Sequence, residues 1–272
     1  MTTHLTDELL ALATQAALNA GEMLRTAWKK PRQISEKGFR DLVTDADHAS
    51  QALITELILS HFPDHGFLVE EEAANLPASG PVIWVIDPLD GTTNYSHQIP
   101  TYCVSIAAMK RPSSQPAPSG PEILIGAIYD PMRNELFQAA ANQGATLNGR
   151  KIQVSTISSL EQAVIAYDLS HQPEKRQTTL NMLQKIAHNV HTLRAIGSAA
   201  LALAWVAAGR LEGYFNLNLK PWDIAAGKLL IEEAGGHVET LNGAPWHVED
   251  VGSFVDNGRV SLKQIVNLTL TQ

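Results

Sequence analysis

Residues 84–100, WVIDPLDGTTNYSHQIP, decide how the rest of the chain is read. Apolar residues lead into this stretch: Val82, Ile83, Trp84, Val85 and Ile86. β-Branched and aromatic side chains fill pleated sheet surfaces, so the run predicts a buried strand. Then the character changes. Asp87 and Asp90 bracket Pro88 and Leu89, and Gly91, Thr92, Thr93 and Asn94 follow. A strand end that delivers two carboxylates into a turn places hard oxygen ligands at the rim of a sheet. Such ligands suit Mg²⁺ or Ca²⁺ rather than zinc. The Gly-Thr-Thr-Asn run suits a helix start, whose free N–H groups attract an anion such as phosphate. Carboxylates beside an anion-binding turn point to metal-assisted phosphoryl chemistry. Taken singly, Asp-x-x-Asp, Asp-Pro and Asp-Gly also make ordinary turns. The weight therefore rests on the continuous string.

Upstream, a helix is expected from Thr6 to Lys30, with Leu9, Leu12 or Ala13, Ala16, Ala20, Met23 or Leu24, and Ala27 on one face. Asp7 and Glu8 sit at its start, Lys29 and Lys30 at its end, and Pro31 stops it. Thr44 followed by Asp47 reads as a capping box opening a second helix, whose apolar face runs through Ala49, Leu53 or Ile54, and Leu57 or Ile58 to Pro63. Asp41, Asp45 and Asp47 thus cluster at a helix N-terminus, which helix capping alone would explain. Phe67, Leu68 and Val69 read as a short strand ending in three glutamates, Glu70 to Glu72.

Downstream, strands are expected at Tyr102–Met109, Ile123–Tyr129 and Glu135–Ala141. The Pro/Ser-rich loop Arg111–Pro121 joins the first two, and Asn148-Gly149 marks a hairpin. Near Ser155–Ala163 the pattern changes to alternating strands and helices, which divides the chain into residues 1–155 and 156–272. Val164–Tyr167 and Leu211–Leu217 read as strands. Lys175–His188 reads as a helix with Leu180, Leu183, and Ile186 or Ala187 inward. A second helix of this half starts near Gly197-Ser198, is apolar nearly all round, and should be buried. A third starts at Pro221-Trp222-Asp223 and stops at Gly235-Gly236; an aspartate so placed is ordinarily a cap. Asn242-Gly243 makes a turn, and a last helix is expected after Arg259.

Lys plus Arg total 20 against 28 for Asp plus Glu, a formal charge of −8. Such a surface does not invite nucleic acid. A small phosphorylated substrate stays open, because bound cations invert the local field. Cys103 is the sole cysteine, so no internal disulfide can form; its apolar flanks suggest a buried, inert thiol. The N-terminus lacks the basic flank of a signal peptide and no apolar run reaches membrane-spanning length, so a cytoplasmic protein off the membrane is expected.

DPLDGTTN is nearly letter for letter the first signature of the inositol monophosphatase family, and WDIAAGKLLIEEAGG matches the second; Tyr95 stands where Phe is usual. The resemblance spans most of the chain. It implies the fold of the inositol monophosphatase and fructose bisphosphatase superfamily, a layered αβαβα sandwich of α+β and α/β character. An antiparallel-rich first half faces a smaller α/β second half, with the active site between them. It implies a homodimer, a Mg²⁺-dependent phosphomonoesterase using two or three ions, and sensitivity to Li⁺. Residue by residue, it implies that Glu70, Asp87, the Leu89 carbonyl, Asp90 and Asp223 hold metal ions, with Asp47 as an outer ligand. Glu71 is the alternative to Glu70, one step along the glutamate run. Glu70 and Thr92 would orient or deprotonate a water, with Asp90 part of the catalytic set. The Gly91 and Thr92 N–H groups would hold the phosphate. The Gly197–Ala199 turn would lie near substrate hydroxyls, and Asp223 near the leaving group. Asn216 stands where inositol-hydrolysing relatives usually have a glutamate, so the substrate is left open among inositol monophosphate, a similar polyol or sugar phosphate, fructose bisphosphate and a 3′-phosphoadenosine nucleotide. A non-catalytic regulatory binding protein is the alternative from another class.

Overall fold

The computed structural model describes residues 3–30, 34–38, 41–71, 76–77, 79–111, 122–248 and 250–260. The expected helix stop at Pro31, the body of the Pro/Ser-rich loop, the third glutamate of the run and the last helix lie outside these residues, as does the Asp41 side chain. Among the described residues, a seven-stranded and a five-stranded sheet alternate with helices in five layers, α, β, α, β, α.

The outer layer of the first half is α1 (Thr3–Ala27) and α2 (Asp45–His61), joined through the two-stranded hairpin β1 (Ile34–Gly38) and β2 (Asp41–Thr44). α1 begins one turn earlier than its charges suggest, so Asp7 and Glu8 fall outside its first turn. The capping box of α2 forms as expected: the Thr44 N–H donates to Asp47 Oδ2 at 2.8 Å, and the Thr44 hydroxyl accepts from the Ala46 N–H at 3.2 Å.

The seven-stranded sheet runs β3 (Gly66–Val69), β4 (Val82–Asp90), β5 (Cys103–Lys110), β6 (Ile123–Asp130), β7 (Glu135–Ala140), β8 (Gly144–Leu147), β9 (Arg150–Lys151). Only the β3–β4 pair is parallel. Asn148 and Gly149 turn β8 into β9 with φ of 49° and 75°, as a type I′ hairpin requires. β4 is buried along its whole length and sorts its side chains by the period of two. Val82, Trp84 and Ile86 pack with Leu9, Ala13, Ala16 and Ile54 of α1 and α2. Ile83 and Val85 face the other way, toward the helices of the middle layer.

That middle layer is α5 (Ala199–Ala207) and α6 (Pro221–Glu233), separated from the first half in sequence by β10 (Val164–Tyr167), α4 (Pro173–Ile186) and β11 (Thr192–Ala195). The short helix α3 (Thr92–Ser96) lies between β4 and β5. Eight of the nine α5 residues are buried, because sheets cover both sides of it. α6 approaches β6 so closely that a Cβ on Gly126 would stand 2.8 Å from the Ala226 carbonyl oxygen. α6 ends in a Schellman motif, with Gly235 at φ +87° and the Gly236 N–H donating to the Ile231 carbonyl.

The second sheet runs β11, β10, β12 (Gly213–Asn216), β14 (Ser253–Asp256), β13 (His237–Thr240). β10 is parallel to both neighbours, and the other pairs are antiparallel. Tyr214 and Val255 face the middle layer, whereas Ile165, Phe215 and Phe254 face α4. The face of α4 corrects an expectation. Thr179, Met182 and Ile186 point inward, and Leu180 is 44% exposed. Leu183 and Ile186 pack with Phe215 and Phe254 as expected, and only Leu180 falls outside the stripe that docks. Met182→Ala should therefore cost about 2–5 kcal/mol, and Leu180→Ser should change stability by no more than about 0.5 kcal/mol. Urea denaturation of the two variants measures this, and the reverse ranking would contradict the assigned face.

Candidate active site

β4 runs straight through the sheet until its last turn, where its pairing with β5 slips. Asp87 lies opposite Ser105 and Asp90 opposite Cys103, so three steps on β4 match two on β5. An odd separation of three would send the two carboxylates to opposite faces of a regular strand. The extra residue forms a bulge that brings them to the same side. Pro88, without an N–H to give the ladder, sits in the bulge. The turn is held from behind: the Ser50 hydroxyl of α2 donates to the Pro88 carbonyl at 2.7 Å, and the Leu89 N–H donates to Asp87 Oδ1 at 3.0 Å.

Asp223 reaches the same point from the other half of the chain. It is the third residue of α6, where its Oδ2 accepts the Lys220 N–H at 2.7 Å. The capping role open to it in the sequence is thus real, and it coexists with a second one. Carboxylate oxygens of Asp87, Asp90 and Asp223 lie within 4.8 Å of one another. Glu70, at the end of β3, lines the same cleft and is hydrogen-bonded to Asp87. Glu71 is buried and held through its backbone by Gln51, whose side chain both donates to its carbonyl at 2.8 Å and accepts its N–H at 3.0 Å. Of the two glutamates, Glu70 is the one that lines the cleft.

Burial is the first cause that pushes the protonation of Asp87 and Asp223 well above the ordinary carboxylate range. Mutual repulsion adds to it: Glu70, Asp90 and Asp223 act on Asp87, and Asp90 and Glu70 act on Asp223. Asp90 is raised as well by burial, against four hydrogen bonds that favour its charge. Those bonds come from the N-terminus of α5 and from Cys103. The Ser198 hydroxyl donates to Oδ2, the Ala200 N–H donates to Oδ2 at 2.8 Å, and the Ala199 N–H donates to Oδ1 at 3.1 Å. Cys103, buried as expected, lies 3.5 Å from the same carboxylate. Clustered hard-oxygen ligands that raise one another's pKa fit divalent cations, whose charge removes that repulsion.

Thr92 opens α3, and its hydroxyl lies 3.0 Å from Asp47 Oδ1 and 3.1 Å from the Leu89 carbonyl oxygen. Asp47, fully buried, therefore caps α2 with one oxygen and holds Thr92 with the other. Gly91 takes φ +97° at the start of α3, and a Cβ there would come 3.1 Å from the carbonyl oxygens of both Gly197 and Thr101. Facing it, the 196–198 loop is clamped from two sides. The Asn94 amide lies 2.9 Å from the Ile196 carbonyl and 2.7 Å from that of Thr101, and the Gly197 N–H donates to Asp168 Oδ1 at 2.6 Å.

The Gly197 and Ala199 N–H groups are thus engaged by Asp168 and Asp90. Asn216 lines the cleft near the end of β12, with its side-chain oxygen taken by the Asn218 N–H at 2.8 Å. Asp168 carries no motif and escapes sequence reasoning. It follows β10, lines the cleft, accepts the Tyr214 hydroxyl at 3.2 Å, and is raised to about 7 by burial and by the nearby Asp90. Ser198 could have been flagged as a polar helix start; Asn94 lay inside the recognised signature without an assigned role. The whole cleft encloses about 770 Å³.

Comparison with known proteins places this geometry. Residues 5–270 match the model of the inositol monophosphatase family. The inositol-1-monophosphatase of a Synechocystis strain is 39% identical over 255 residues, 92% of this chain and 85% of that protein. Nus factor SuhB of Salmonella typhimurium is 37% identical over 263 residues, 96% of this chain and 95% of that protein. Among solved structures, the IMPase of Thermotoga maritima superposes with a TM-score of 0.86 at 29% identity, covering 97% of this chain and 98% of that one. The extragenic suppressor protein suhB of Bartonella henselae gives 0.84 at 35%, covering 96% of each. With the acidic cluster, the bulged strand and the layered fold all in hand, the chain belongs to the inositol monophosphatase family.

Proposed function

We propose that the protein hydrolyses phosphate monoesters of a polyol such as inositol, or of a sugar, with Mg²⁺ held at two or three positions by Glu70, Asp87, the Leu89 carbonyl, Asp90 and Asp223. The observation that carries this reading is the convergence of Asp87, Asp90 and Asp223, from strand and helix ends over a hundred residues apart, on one point of the cleft. Bound divalent ions supply charge neutralisation and a more acidic water. The chain's own residues supply position. Residues 1–155 carry most of the ligands, and residues 156–272 complete the site with Asp223. The N–H groups of Gly91 and Thr92 orient the phosphate. Asp47 orients the Thr92 hydroxyl, which with Glu70 would align the attacking water, the proton passing to the Glu70 carboxylate. Asp223 lies on the leaving-group side, and Asn216 and the 196–199 loop shape the wall that meets the alcohol.

We further propose a cytoplasmic homodimer inhibited by Li⁺. No helix among the described residues is long and apolar enough to cross a membrane. The relatives named Nus factor SuhB keep a regulatory binding role as the second reading. The intact acidic set favours catalysis, because a binding module needs no such buried like-charge cluster.

Phosphate release from a panel of inositol, sugar and 3′-nucleotide phosphates, with and without Mg²⁺, tests the proposal directly. Asp90→Asn should abolish Mg²⁺-dependent release while circular dichroism stays native; full activity in that variant would remove the site from consideration. Thr92→Val should lower kcat by about 10²–10⁴-fold, the range of a positioned proton-transfer group.

The raised carboxylates also give a signed pH prediction. Asp87, Asp90 and Asp223 bind protons more tightly folded than unfolded. Stability of the cation-free protein therefore falls as pH rises above the ordinary carboxylate range of about 4. Mg²⁺, which needs these groups deprotonated, should raise Tm most at the upper end. Asp87→Asn should flatten the slope measured in EDTA, and an equally steep slope in that variant would contradict the assignment.

A further inference from the structure

The cleft extends well beyond the acidic cluster, and its far wall is cationic. β11, β10 and β12 run parallel, and their carboxyl ends all open onto it. The chain leaves β10 to one side for β11 and later returns on the other side as β12. That reversal makes a crevice at the strand ends, the position where open α/β sheets hold ligands. The loops that follow these strands bring His171 and Lys220 to the cleft lining, and the first turn of α4 brings Arg176. Lys175 stands beside them, with its ammonium 3.0 Å from the Asn218 side-chain oxygen.

The charge of Lys220 is felt by Asp223 on one side and by Lys175 on the other. The Arg176 guanidinium donates to the Ser170 carbonyl at 3.3 Å. Among the described residues neither Lys175 nor Arg176 meets a carboxylate. Asp168, which lines the same cleft, is engaged instead by the Gly197 N–H and the Tyr214 hydroxyl. In a chain with a formal charge of −8, placing Lys175 and Arg176 at this wall with only neutral oxygens as partners leaves positive charge that an arriving anion would offset. The transferred phosphate belongs at the metal cluster. The basic group lies farther along, where the non-reacting part of the substrate would rest.

We propose that Lys175, Arg176 and Lys220 form a subsite for a second anionic group on the substrate, so that the preferred substrate is a phosphate ester carrying another phosphate or a carboxylate. The proposal rests on the phosphatase reading and narrows it. Binding energy from such a remote group lowers KM, and where it improves alignment it also raises kcat.

The test compares three esters with the purified full chain in Mg²⁺: a sugar monophosphate, the matching bisphosphate, and the matching phosphorylated sugar acid. Initial phosphate release should show kcat/KM at least about tenfold higher for one or both dianionic esters, since one good charge-assisted contact is worth about a factor of ten. Which ester gains most identifies the second group. In Lys175→Gln/Arg176→Gln the preference should collapse toward unity, through a rise in KM for the charged esters. Lys220→Gln, made separately, should do the same, and circular dichroism checks folding of each. Equal kcat/KM for all three esters in the wild type, or a preference that survives both sets of substitutions, overturns the subsite and leaves the phosphatase reading intact. No release from any ester would instead count against that reading.

Discussion

The grip of the α5 N-terminus on the Asp90 carboxylate is the interaction on which the site depends. Three donors from residues 198–200 reach a strand end more than a hundred residues earlier in the chain. A helix start has free N–H groups and a partial positive charge, so a buried carboxylate is its natural partner. The same carboxylate is crowded by Asp87 and Asp223, and the helix start offsets part of that repulsion. One contact thus joins the two halves, caps a buried helix and fixes a candidate metal ligand.

The rest of the site follows outward from that contact. The bulge in β4 lets Asp87 and Asp90 share a face, and Ser50 holds the bulge from the helix behind it. Asn94 and Asp168 clamp the loop that starts α5. Asp47 joins the cap of α2 to the Thr92 hydroxyl. Residues that look like ordinary capping groups are therefore also positioning groups. Asp47 and Asp223 each perform both tasks, because a capping carboxylate has two oxygens and the helix uses only one of them.

The middle layer sets how closely the surroundings of the site are packed. α5 and α6 are covered by sheets on both sides, and Gly126 and Gly227 let them pack at backbone distance. A Cβ on Gly227 would stand 2.5 Å from that of Leu203. Polar groups carried into such a layer must be satisfied there or left at high cost. In the acidic cluster that cost persists as burial and mutual repulsion of carboxylates, which is why its protonation is shifted so far.

Much of this was legible in the residue order. The buried β4, the capping box of α2, the Asn148-Gly149 hairpin, the all-round apolar α5 and the terminating glycines of α6 are local signals, governed by side-chain period and backbone sterics. The two signature strings carried the family and pointed to the acidic residues that cluster at the cleft. Tertiary structure alone decided the remainder. The register slip between Asp87 and Asp90 depends on a partner strand, so no reading of β4 by itself could place both carboxylates on one face. The docked stripe of α4 depends on the sheet it meets, which turned Leu180 outward and Met182 inward. Asp168 and the basic wall beside it had no motif, because they come together only where three parallel strands end. Short-range pattern is written in neighbouring residues, whereas convergence of charges is a property of how distant segments pack.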